Sequence, residues 1–140
     1  MTFSVLVFYT RRPDVTPERF QTYMEETHVP LFKKVLGPHY PLSYNMRYVV
    51  RVSSGAGDRL GATTSAKGRA DPDAPVVLVG STKDVEWDAL GEMVFRDELH
   101  VQQAFAMMNS PAGEQVQDDE GEFTVPDKLR LLLMGETRYH

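Results

Sequence analysis

A chain of 140 residues, 41% apolar and 25% charged, has the length and composition of one soluble domain with a small core. Its net charge is −5, and no basic stripe interleaves with aromatic residues, so nucleic acid is not an expected partner. Cysteine is absent, which excludes disulfides, thiolate metal sites and a cysteine nucleophile, and fits a reducing compartment.

Residues 3–9, Phe-Ser-Val-Leu-Val-Phe-Tyr, are β-rich. They lack a basic start and the apolar run is short, so they read as a buried strand rather than a signal peptide. No segment approaches the roughly 20 apolar residues that cross a bilayer, and a cytoplasmic protein without membrane contact is expected. Arg11-Arg12-Pro13-Asp14 turns the chain. Thr16 suits an N-cap and Pro17 the first helical position. Phe20, Tyr23, Met24, Thr27, His28, Leu31, Phe32 and Val35 recur at helical spacing, which predicts an amphipathic helix over 17–35. Pro30 should kink that helix or convert its last turn, and Gly37-Pro38 should end it.

Residues 44–52 read as the second strand. Residues 53–75, rich in Gly, Ala, Ser and Asp, read as a long loop with weak internal order, and 76–79 as a short extended piece. From Trp87 to Arg96 the chain reads as extended. Trp87, Ala89, Gly91, Met93 and Phe95 would share one face, and Asp88, Leu90, Glu92, Val94 and Arg96 the other. Asp97 should cap a second helix that carries Leu99, Phe105, Ala106 and Met107 to about Asn109. Ser110-Pro111 breaks it, a short helix over about 111–119 follows, and Lys128 to Met134 is the last strand.

The order β-α-β-(loop)-β-α-β over residues 1–140 describes one α+β domain. It is a ferredoxin-like split βαβ with a four-stranded antiparallel sheet and helices on one face. The other face keeps Leu, Val, Met and Tyr among its charges. Two such sheets packed together would form a dimeric α/β barrel, so a homodimer is expected.

His28 shares the inward stripe with Met24 and Leu31, which makes it an interior histidine. Such a residue is either structural or the proton-transfer group of a pocket. His100, early in the second helix, is placed to approach the same cavity or to lie exposed near the helix start. The four histidines show no metal-ligand spacing, and no metal site is expected. Glu92 and Arg47 lie on strands, where they form an interfacial ion cluster or line a pocket, an arginine there holding a substrate carboxylate. Tyr9, Tyr23, Tyr44, Trp87, Met93 and Phe95 offer flat lining for a planar ligand, or plain core packing. No phosphate-binding loop, dinucleotide fingerprint or nucleophile elbow occurs.

Thr16-Pro17-Glu18-Arg19-Phe20 with Glu26-Thr27-His28-Val29-Pro30-Leu31 resembles the first helix of EthD-domain proteins. Glu92-Met93-Val94-Phe95-Arg96-Asp97-Glu98 resembles that family's third strand and helix start. Ser110-Pro111 and Asp118-Asp119-Glu120 to Phe123 resemble its closing segment. The nearest likeness is to fungal EthD-like proteins of aromatic polyketide pathways. It implies decarboxylation, without a cofactor, of an anthrone- or anthraquinone-type carboxylic acid. His28 would then be the acid, Tyr44 its helper, and an arginine or His100 the holder of the carboxylate or enolate oxygen. Related barrels include cyclases, isomerases and monooxygenases, and the family also admits a non-enzymatic binding protein, so the fold does not fix the reaction. The 53–75 insertion departs from a minimal family pattern.

Overall fold

Alternating burial along the first strand sets the two faces of the sheet. In a computed structural model that describes residues 1–62 and 71–140, β1 spans Phe3–Tyr9. Val5, Val7 and Tyr9 are buried on the helix-covered face, and Ser4, Leu6 and Phe8 point the other way.

The predicted 17–35 helix is present but not uniform. Helix α1 covers Pro17–Tyr23, a π-helical turn covers Met24–His28, and α2 covers Val29–Leu36. Thr16 caps the start, its hydroxyl accepting the Arg19 N–H at 3.1 Å. The departure from α geometry precedes Pro30 instead of falling in the last turn. The proline ring would crowd the carbonyl four residues back, and it brings no N–H. Widening the turn before it relieves both problems, and Val29 N–H donates to Met24 O, five residues back.

That wide turn keeps the core stripe in phase. Phe20, Met24, His28, Phe32 and Leu36 are all buried, one every fourth residue. On a regular α-helix such a stripe rotates by about 40° at each step. One wider turn in the middle takes up part of that rotation.

Strand β2 spans Ser43–Tyr48, shorter than the predicted 44–52. The chain leaves the sheet where Val49 N–H donates to Asp88 O at 3.1 Å. Buried Asp88 then accepts Arg51 Nη1 and the Arg11 backbone N–H, both at 2.7 Å. The predicted 53–75 loop is closed at its neck: Val52 N–H donates to Ala74 O and Ser53 N–H to Pro72 O, both at 2.9 Å. It holds a 3-10 turn at Val52–Ser54 and a short helix α3 at Ala56–Leu60, so its first part is more ordered than its composition suggested. Its portion 63–70 lies outside the described residues. Residues 76–79 join no strand.

Strand β3 spans Ala89–Phe95, α4 Glu98–Met108, α5 Glu114–Glu120 and β4 Arg130–Met134. Asp97 caps α4 as predicted, accepting the His100 N–H at 2.8 Å. His100 and Ala104 face the core while Leu99 and Phe105 are exposed. Apolar residues lie on every side of this helix, so its sequence holds no stripe to read; His100 sets its rotation by bonds described below.

The sheet order is β2-β3-β1-β4, with every pair antiparallel. This is the expected split βαβ arrangement. Helices cover one face, where Val7, Met93 and Phe95 meet Met24, Ala104 and Phe123. All five residues of β4 are exposed.

Candidate functional site

His28 ends the wide turn with its ring buried against aromatic neighbours. Phe123 lies at 5.1 Å between ring centroids, and Tyr9 presents its edge at 6.1 Å. Asp119 on α5 bonds His28 Nδ1 through Oδ2 at 2.9 Å. Its other oxygen accepts the Tyr23 hydroxyl at 2.5 Å. The carboxylate therefore sits between a fixed donor from α1 and the imidazole. It selects the tautomer with hydrogen on Nδ1 and leaves Nε2 to the cavity that the ring lines.

Burial holds the His28 pKa below its usual value of 6.5, with Asp119 opposing that shift. Burial and the bond to Asp119 push the Tyr23 hydroxyl up to about 12. The hydroxyl thus stays a donor to the carboxylate.

A cavity of about 380 Å³ opens beside the His28 ring, between the helices and the sheet of a single chain. Its polar groups include Tyr9, Tyr44 and Glu120, set among Val7, Phe32, Met93, Phe95 and other apolar residues. The Tyr9 and Tyr44 hydroxyls bond each other at 2.6 Å. Burial foremost raises both above the usual phenol value. Gly91 makes the Tyr44 position possible: a Cβ there would stand 2.6 Å from Tyr44 Cε1.

Glu120 is 7% exposed and lines the same cavity, and its carboxyl makes no hydrogen bond or ion pair among the described residues. Burial first, and the neighbouring Asp119 second, raise its pKa to about 7. The site thus pairs an oriented imidazole with a carboxyl that is half neutral at physiological pH.

Five predicted residues meet at this cavity: His28, Tyr9, Tyr44, Met93 and Phe95. Tyr23 lies behind His28, on Asp119, and is not among the cavity residues. His100 does not join them. Its Nδ1 accepts the Arg96 backbone N–H at 3.0 Å, and its Nε2 donates to the carbonyls of His39 and Tyr40, both at 3.1 Å. With both nitrogens engaged by backbone, it ties α4 to the turn after α2. Arg47 and Glu92 also miss the cavity. Strand alternation puts them on the open face, where Glu92 stands opposite Leu6 and Asn45 and both side chains are exposed. Trp87 precedes β3 and packs edge-on against Phe8 on that open face, at 5.3 Å.

Asp119 and Glu120 carried no predicted role, because the run Asp118-Asp119-Glu120 reads as a solvated helix end. A signal was present. Val116, Glu120 and Phe123 are all buried at i, i+4 and i+7, the spacing of one helix face. Among the described residues no group of three or more His, Asp and Glu is arranged to hold a metal ion. None of the helices there is long and apolar enough to cross a membrane.

The EthD domain model matches residues 12–127. Crystal structures of two bacterial proteins share the fold. An ethyl tert-butyl ether D (EthD) family protein of Bacillus halodurans is 19% identical, with 98% of this chain and 100% of that chain covered and a TM-score of 0.56. An EthD-like protein of Ralstonia eutropha is 15% identical, with 95% and 87% covered and a TM-score of 0.52. A protein of Arabidopsis thaliana is similar at 9% identity and a TM-score of 0.56, covering 99% of this chain and 98% of its own. No curated protein matches the sequence. The family model spans the wide turn, the Asp119 segment and two of the four strands, β2 and β3, and on that match the chain belongs to the EthD family.

Proposed function

We propose that this chain is an acid–base enzyme acting on a planar aromatic, polyketide-like molecule, and that its reaction is decarboxylation of an aryl carboxylic acid without a cofactor. One observation carries this reading: Asp119 orients an imidazole whose second nitrogen serves an apolar, aromatic-lined cavity. The cavity volume lies in the range that small-molecule sites occupy.

In this scheme the His28 imidazolium gives its Nε2 proton to the ring carbon bearing the carboxylate. The bond from that carbon to the carboxylate carbon then breaks, its electron pair returns to the ring, and carbon dioxide leaves. Neutral His28 regains a proton from solvent, so one proton is consumed per turnover. Apolar walls favour the step because they stabilise a carboxylate poorly and carbon dioxide well.

The test is carbon dioxide release from hydroxyanthraquinone carboxylic acids. His28→Gln should lower the rate by about 10²–10⁴-fold with the fold intact. An undiminished rate in a folded variant removes the reading. Because no Lys or Arg lines the cavity among the described residues, an uncharged ligand that is cyclised, dehydrated or isomerised is the alternative. Conversion of such a ligand with no carbon dioxide released distinguishes it. Oxygen uptake would point instead to a monooxygenase, and tight binding without conversion to an accessory binding protein. The open sheet face supports a homodimer as the working assembly, with two sheets packed together.

A further inference from the structure

The proposed reaction needs a group that holds a carboxylate, and beside the proton-donating His28 the cavity offers no Lys or Arg for the purpose among the described residues. Arg47 is on the open face, the ring nitrogens of His100 are engaged by backbone, and no Lys or Arg lines the cavity among the described residues. Among the described residues Glu120 is the one lining carboxyl, it is buried, and its carboxyl group makes no hydrogen bond or ion pair. Of the lining amides, Gln117 already donates to Met108 O at 3.0 Å and Asn109 is exposed.

We propose that Glu120 holds the substrate carboxylate in the cavity, donating an O–H···O hydrogen bond to it where an arginine would otherwise pair. This rests on the acid–base reading above. A carboxylic acid and a carboxylate share one proton well: the bond is charge-assisted and short, about 2.5–2.7 Å. An ionised Glu120 would instead repel the ligand, so the substrate binds the protonated form and binding takes up a proton above the Glu120 pKa of about 7.

The groups facing Glu120 allow that uptake to be assigned. His28 faces it from the long helix, Tyr9 from β1, Tyr44 from β2 and Asp119 from its own helix. The C-cap of α4 gives the uncharged Asn109, the segment leading into β4 gives Pro126 and Leu129, and β4 itself gives Leu131. Between pH 7 and 9 both tyrosines stay neutral in the free and bound states, because their pKa values lie above 10. His28 is the other group able to take up a proton, and its removal is the control.

The experiment is calorimetry at pH 8 with anthraquinone-2-carboxylate, in buffers of different ionisation enthalpy, using the full chain. Wild type and His28→Gln should take up close to one proton per ligand, and Glu120→Gln none. Wild-type affinity should fall about tenfold per pH unit above pH 8, while Glu120→Gln stays flat. Anthraquinone-2-carboxamide should bind wild type without proton uptake. In the wild-type complex at pH 8, infrared spectra should show a protonated carboxyl band absent from the free protein, a readout that needs no variant. No carboxylate binding, no uptake in wild type, or uptake that persists in Glu120→Gln would each overturn the proposal. Proton uptake without any carbon dioxide release keeps the Glu120 role and removes the proposed reaction. Carbon dioxide release without proton uptake does the reverse.

Discussion

Burial shifts His28 and Glu120 in opposite directions, as the charged forms of a base and an acid demand. For Glu120 the folded pKa of about 7 exceeds the usual 4.5. The folded state therefore binds the proton more tightly, and stability is full below pH 4.5 and lost as pH rises to about 7. A shift of that size corresponds to about 3 kcal/mol. His28, with its pKa lowered, works in the opposite sense: its contribution is present above 6.5 and lost as pH falls through its folded value. The comparison that isolates Glu120 is thus wild type against Glu120→Gln, which retains His28. Urea unfolding should show the variant gaining up to about 3 kcal/mol relative to wild type between pH 4.5 and 8, less the cost of burying the amide. A pH-independent difference would rule out a buried titrating carboxyl. At this scale His28 was legible in the sequence because it falls on a helical stripe ahead of a proline. His100 read as a second site residue because nothing local reveals that both its nitrogens meet backbone from residues 39–40 and 96.

Two glycines carry the packing of elements around the cavity. Gly91 on β3 leaves room for the Tyr44 ring, which can swing if pressed. Gly91→Ala should break the Tyr9–Tyr44 bond and cost about 1–3 kcal/mol, read from the unfolding midpoint. Gly113 is more constrained, because a Cβ there would stand 2.0 Å from Met108 O, a backbone atom at the end of α4. Gly113→Ala should cost about 3 kcal/mol or more, since the whole α4–α5 corner must move. Equal stabilities for the two variants would contradict this ranking. The existence and order of the elements were readable from capping residues, breakers and alternation. The phase of α4 was not, because Leu99, Val101, Ala104, Phe105, Ala106, Met107 and Met108 lie around the whole helix. The length of β2 was also unreadable, because Val49 and Val50 suit a strand, yet the ladder ends there and Arg51 turns in to the buried Asp88 side chain.

The assembled molecule leaves one sheet face bare. Leu132 and Met134 on β4 are 51% and 42% exposed, and they share that face with Leu6, Phe8, Leu90 and Val94. A patch of this composition on a small domain favours a second copy. Sedimentation velocity should find a homodimer, and Leu132→Asp should shift it to monomer. A wild-type monomer at micromolar concentration would exclude this assembly. The split βαβ order was legible because each strand and helix bears its own local signal. The cavity was not, because it exists only where α5 returns Asp119 and Glu120 to a helix some 90 residues earlier in the chain.

The π-helical turn at Met24–His28 also affects how this protein is compared with others. A helix that holds such a turn contains one residue more than a regular helix spanning the same distance. Placed beside a relative whose helix lacks it, this chain matches without a gap only up to Met24. Beyond that point every position is paired one place out of step, and the histidine aligns with a residue on a different face. A search for His28 by column position would miss its counterpart, whereas superposing backbones and allowing a single-residue insertion before Pro30 would find it.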